Sequence, residues 1–109
     1  MLHIVISSYT PRSAELDARM PEHLAFLETY HRAGCFLLSG SKSTCDGGIV
    51  IAQTRTREEL VEIMERDPLR RLGLLDYEIM GFAPNRRALA LTEELFLSKG
   101  KMAQVLEHA

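Results

Sequence analysis

The sequence predicts an α+β fold, a single antiparallel sheet in βαββαβ order with two helices on one face and a helical tail at the C-terminal end. Three observations predict it. Short runs rich in β-branched and apolar residues recur at residues 2–9, 35–40, 49–54 and 76–84. Two segments with apolar residues three and four apart separate the first run from the second and the third from the fourth. Right-handed crossovers then place both helices on the same side of the sheet.

Taken in order, Ile4, Val5 and Ile6 make the first strand almost continuously apolar, as suits a central strand covered on both faces. Thr10-Pro11-Arg12-Ser13 breaks it. A helix follows to Arg32, either from Ser13 with a bend at Pro21 or freshly from Pro21, since proline is tolerated in a first turn. Gly34 is a natural stop. Residues 35–40 and 49–54 form a hairpin around the polar, glycine-bearing turn at 41–48. Thr56 caps a second helix, with Glu58 and Glu59 in its first turn and Leu60, Val61, Ile63 and Met64 as its apolar stripe. Pro68 ends that helix and biases Asp67 out of the α region, so Asp67 is expected at the helix end. Residues 69–75 make an irregular or short helical connection, and Tyr77, Ile79 and Gly81 alternate with Glu78, Met80 and Phe82 in a fourth strand. Thr92 and the acids after it open a helix in the tail, with a short added strand at 87–91 as the competing assignment. Residues 1–87 are expected to form the domain, and 88–109 a tail belonging to the same unit.

Composition narrows the function classes. A chain of 109 residues with 46% apolar content fits one domain with a real core. Thirteen basic residues against fifteen acidic ones give a net charge of −2, with none of the basic excess that nucleic acid demands. The βαββαβ order is shared with RNA-recognition domains, but the third strand carries no aromatic residue on which a base could stack. No segment is long and apolar enough to span a bilayer, and the first residues lack the pattern of a signal peptide, so a cytoplasmic protein without membrane or nucleic-acid partners is expected. Cys35 and Cys45 fit no metal spacing and are read as free thiols. His3, His23, His31 and His108 form no H-x-H or HExxH pair, so no metal is expected.

Two ionisable residues stand where the helical pattern calls for apolar ones. His23 shares a face with Leu27 and Tyr30, and Asp67 continues the stripe of Leu60, Ile63 and Met64. Strand and helix directions bring them together: if the first strand rises, the first helix starts at the top edge and the second helix ends there. The hairpin turn lies at the same edge. A carboxylate beside an imidazole fixes its tautomer, and such a pair in a cleft is suited to general acid–base work, with His23 as base and Asp67 as its orienting partner. Ser39 and Ser41 in the hairpin and Tyr9 at the end of the first strand are the candidate substrate contacts, and Gly47-Gly48 could offer backbone N–H groups to an anionic oxygen. His31, turned off the face of His23, is assigned a packing or capping role, and on the first strand Ser7 and Tyr9 are expected nearer the cleft than His3.

Several stretches, in this order, carry a resemblance. Pro21-Glu22-His23-Leu24-Ala25-Phe26-Leu27, His31-Arg32-Ala33-Gly34 before Leu37-Leu38-Ser39-Gly40, Gly47-Gly48-Ile49-Val50-Ile51-Ala52, Asp67-Pro68-Leu69 and Gly73-Leu74-Leu75-Asp76-Tyr77-Glu78-Ile79 resemble the YciI-like (YCII-related) family of the dimeric α+β barrel superfamily. The resemblance covers roughly residues 1–84. It implies a ferredoxin-like protomer that dimerises through the open sheet face, and an active-site histidine and aspartate at His23 and Asp67. Dehydrochlorinase-type lyase chemistry is associated with part of that family, and the wider superfamily includes isomerases, monooxygenases and haem-dependent enzymes, so the fold alone selects no reaction. The expected function is a cofactor-independent lyase or isomerase acting on a small cyclic or carbonyl-bearing molecule. The alternative is a non-catalytic metabolite-binding protein. In either case the apolar strands need cover on the face the helices leave open, which makes a homodimer the expected state.

Overall fold

Strand β1 (Leu2–Tyr9) lies inside the sheet, as its apolar run requires: it pairs antiparallel with β3 (Gly48–Gln53) on one side and β4 (Leu75–Phe82) on the other. Strand β2 (Phe36–Ser41) adds to the far side of β3, giving the order β2-β3-β1-β4. This computed structural model describes residues 2–11 and 13–91. Helices α1 (Ala14–Arg32), α2 (Arg57–Met64) and the four-residue α3 (Pro68–Arg71) complete the order β1-α1-β2-β3-α2-α3-β4 among these residues. No helix among them is long and apolar enough to cross a membrane.

Helix α1 is continuous from Ala14 and does not restart at Pro21. The Ser13 hydroxyl accepts from the Leu16 N–H at 3.1 Å, and Glu15 and Asp17 sit favourably in the first turn. Gly34, at φ +81°, ends the helix as its position predicts. The apolar faces meet in two groups. Val5, Phe26, Phe36, Val50, Ala52, Leu60, Ile63 and Met64 form one, and Leu16, Leu69 and Leu75 form the other. Leu60 and Leu69 are fully buried, and each such side chain contributes about 1.5–3 kcal/mol.

The structure corrects two expectations and sharpens two others. Asp67 does not belong to the second helix, which stops at Met64 and is capped at Glu65; it is instead the N-cap of α3. Its ψ of 125° is the extended conformation imposed by the following proline, and Pro68 is a natural first residue for the new helix. Second, the connection beyond Pro68, expected as irregular or short helical, takes the helical form in that turn. Third, residues 87–91 form no strand; Leu91 N–H bonds the Ala88 carbonyl at 3.0 Å in a turn. The expected tail helix from Thr92 lies outside the described residues. Fourth, β2 does not alternate simply. Phe36 pairs with Ala52, but Leu38 pairs with Ile51 and Ser39 with Val50, so one extra residue is accommodated between Phe36 and Leu38. This bulge puts Ser39 and Ser41 on the face of Val50 and the helices, and turns Leu38 to the opposite, open face.

The hairpin turn is locked to β1 at close quarters. Ser7 Oγ accepts from the Gly48 N–H at 3.0 Å and donates to the Gly48 carbonyl at 3.3 Å, replacing ladder bonds where β1 and β3 part. Beyond it the Tyr9 N–H reaches the Asp46 carbonyl at 2.8 Å. Between these contacts the Ser7 carbonyl oxygen lies 1.9 Å from where a Cβ on Gly47 would sit, so only glycine fits.

Candidate active site

His23 and Asp67 are brought together by two elements that meet over the sheet. His23 lies at the middle of α1, and Asp67 caps α3, which packs against α1 and β4. His23 Nδ1 is 2.8 Å from Asp67 Oδ2, with His23 6% exposed and Asp67 completely buried. The second carboxylate oxygen, Oδ1, accepts from the Leu69 N–H at 3.0 Å. Asp67 therefore holds α3 with one oxygen and His23 with the other. Because both oxygens accept, Nδ1 is the donor and Nε2 remains as the basic nitrogen.

The pair opens on a cleft of about 190 Å³. Its walls are largely apolar, from Val5, Leu24, Leu27, Val50, Met64 and Leu75, and it lies along the seam between the two core groups. Tyr9 stands edge-on to the His23 ring, at 6.1 Å between centroids and 90° between planes. Burial, and secondarily the Asp67 carboxylate, push the Tyr9 phenol above its ordinary value, so it remains a hydroxyl donor at neutral pH. Ser7, Ser39 and Ser41 also line the cleft, from β1 and from the bulged strand β2. The five residues singled out from sequence, His23, Asp67, Ser39, Ser41 and Tyr9, thus border one cavity.

The other candidates fall elsewhere. Gly47 and Gly48 do not form a donor pair for an anionic oxygen, since the Gly48 N–H is committed to Ser7 and Gly47 serves the close approach to β1. His3 is buried on the helix-covered face away from the cleft; its Nδ1 has no hydrogen-bond partner, and burial holds the imidazole below its ordinary pKa. Cys35 and Cys45 are free thiols. Among the described residues no group of three or more histidine, cysteine, aspartate or glutamate side chains is arranged to hold a metal ion. Sequence reasoning missed the partner of His31: its Nε2 lies 2.7 Å from Ser39 Oγ, a contact that depends on the β2 bulge, which the sequence does not announce.

A charged cluster behind the site fixes α3. Arg70 reaches Glu65 Oε2 at 3.0 Å and Asp76 Oδ1 at 2.9 Å, and its guanidinium lies 5.2 Å from the centre of the Tyr77 ring. Tyr77 donates to Glu65 at 2.7 Å, and burial together with this carboxylate pushes its phenol up to about 12. Each exposed ion pair contributes little alone, but the set joins α2, α3 and β4 around the aspartate.

The chain finds no match among curated proteins. Its fold is similar to that of a muconolactone isomerase, with a TM-score of 0.68 and 15% identity, covering 82% of this chain and 95% of that one. It is also similar to 5-chloro-2-hydroxyhydroquinone dehydrochlorinase (TftG) from Burkholderia phenoliruptrix AC1100, solved in complex with 2,5-dihydroxybenzoquinone, with a TM-score of 0.58 and 21% identity over 75% of this chain and 93% of that one. At such identities the likeness concerns the fold. The model of the YCII-related domain matches residues 1–83, most of the chain and all seven elements described above, and the protein accordingly belongs to the YCII-related family.

Proposed function

We propose that this protein is a cofactor-independent lyase or isomerase that moves a proton on a small cyclic or carbonyl-bearing molecule. The observation that carries the proposal is the buried His23–Asp67 pair, hydrogen-bonded at 2.8 Å at the wall of an otherwise apolar cleft. Asp67 keeps the proton on Nδ1, and Nε2 removes a proton from a carbon made acidic by a neighbouring carbonyl. Tyr9 donates a hydrogen bond to the oxygen on which the negative charge gathers, and Ser39 and Ser41 contact the substrate's other polar groups. In an isomerisation the imidazolium returns the same proton to a different carbon. In an elimination the C–H electron pair forms the new double bond and a leaving group such as chloride departs. The similarity in fold to a muconolactone isomerase and to a dehydrochlorinase supports this range of chemistry.

Turnover of a panel that includes unsaturated lactones and 5-chloro-2-hydroxyhydroquinone, followed by mass spectrometry, tests it. Replacing His23 with alanine is expected to lower kcat by ~10²- to 10⁴-fold while the protein stays folded. Wild-type activity in that variant would overturn the acid–base assignment, and saturable binding with no chemical change across the panel would favour a binding protein instead.

We also propose that the protein works as a homodimer formed through the open face of the sheet. Leu38 and Met80, 68% and 62% exposed, stand there with Ile49 and Phe82 on strands whose other face is covered by helices. Light scattering at micromolar concentration is expected to give twice the protomer mass, and replacing both Leu38 and Met80 with lysine is expected to give a folded monomer. A wild-type monomer under those conditions refutes the assembly.

A further inference from the structure

The cleft has a second polar end, built by a residue that does not itself line it. His31 and His23 both lie on α1, eight residues and therefore ~12 Å apart along the helix axis, but turned by ~80° around it. The turn takes His31 off the cleft wall. Its Nε2 nevertheless lies 2.7 Å from Ser39 Oγ, and Ser39 does line the cleft. The imidazole is itself held in place, edge-on to the buried Phe36 ring at 5.9 Å between centroids and 80° between planes. A serine hydroxyl has one hydrogen to donate and two lone pairs. With one of these directions taken by a fixed imidazole, the hydroxyl loses its free rotation and keeps its remaining capacity for a ligand in the cleft. The cleft wall is otherwise largely apolar, with Leu27, Val50 and Met64 among its residues.

We infer that His31 is a positioning residue that fixes Ser39 as a second anchor, so that the cleft selects a flat ring carrying oxygen atoms at opposite ends. One oxygen is held at the His23 and Tyr9 end and the other at Ser39. The ring faces lie against the aliphatic side chains of the wall. The inference rests on the reading of the cleft as a small-molecule site, and it adds the geometry of the ligand and the role of His31.

Two probes separate the anchor from the site. Hydroquinone carries oxygens at both ends of its ring and phenol at one, and their binding to the full chain can be followed by calorimetry and by the NMR signals of cleft residues. Wild-type protein is expected to bind hydroquinone about ten-fold more tightly than phenol, the difference ~1.4 kcal/mol makes. In Ser39→Ala and in His31→Leu this preference is expected to vanish. His31→Gln, which keeps a polar atom facing Ser39, is expected to retain most of the preference, which a purely packing role for His31 would not produce. If both probes bind and the preference survives in Ser39→Ala or His31→Leu, the anchor is refuted and the site stands. If neither probe perturbs the cleft of the wild-type protein, the small-molecule reading fails and the anchor with it.

Discussion

Asparagine at position 67 is expected to lower turnover by ~10²- to 10⁴-fold and to leave the fold intact. The amide can still accept the Leu69 N–H through its oxygen, so α3 keeps its cap. What it then turns toward His23 is an NH₂ group, a donor where the carboxylate was an acceptor. The imidazole answers by giving up its proton at Nδ1 and carrying it at Nε2, the nitrogen that has to be empty to take a proton from substrate. The loss is thus one of tautomer rather than of contact, and it can be seen without any substrate. A two-dimensional ¹H–¹⁵N spectrum of the His23 ring is expected to show the proton on Nδ1 in the wild type and on Nε2 in Asp67→Asn. An unchanged tautomer with unchanged kcat would remove Asp67 from the proposed mechanism. Alanine at the same position is a different experiment, since it removes the cap as well and leaves two buried donors unmatched, at a cost of about 1–3 kcal/mol for each unsatisfied group.

The second large effect falls on stability. Gly47→Ala would place a methyl group 1.9 Å from the Ser7 carbonyl oxygen and 2.7 Å from its carbon, both of them backbone atoms that no side-chain rotation can move aside. Either the hairpin turn lifts from β1 or the strand end shifts, and the Ser7 bonds to Gly48 and the Tyr9 bond to Asp46 are the ones that give way. Overpacking of this severity costs about 3 kcal/mol, which in a domain of this size lowers Tm by ~10–20 °C. Thermal unfolding followed by circular dichroism measures it. Gly40→Ala is the control: a Cβ there meets nothing within 4 Å, and its Tm is expected to stay close to the wild-type value. Equal behaviour of the two variants would show that the approach of Gly47 to β1 is not a constraint on folding.

Much of the fold was legible because it is written in features that local physics reads directly. Continuous β-branching put β1 inside the sheet, Ser13 and Thr56 capped their helices, and Gly34 closed α1 at a positive φ. The meeting of His23 and Asp67 was legible in part: element order and crossover handedness bring α1 and the segment after α2 over the same face. His23, however, stands at the middle of a continuous α1 and not at its start, and Asp67 opens α3 instead of ending α2. The details were not legible. Pro68 could be seen to stop a helix, but that it also starts one, with Asp67 as the cap, depends on the Leu69 side chain finding the space beside Leu16 and Leu75. The partnership of His31 with Ser39 depends on a bulge, and a bulge arises from the way two strands share their pairing, not from the composition of either.

That bulge has a consequence for how the cleft can change over time. In a strand, side-chain parity is set by counting residues, so the extra position between Phe36 and Leu38 decides whether serines or their neighbours face the helices. A strand of the same length paired without the bulge would carry Leu38 and Gly40 into the cleft wall in place of Ser39 and Ser41, while His23 and Asp67, on other elements, kept their places. The polarity of the pocket is therefore governed by the pairing register of one edge strand and the proposed chemistry by two residues elsewhere, so a change of that register would retune which molecules enter without moving His23 or Asp67.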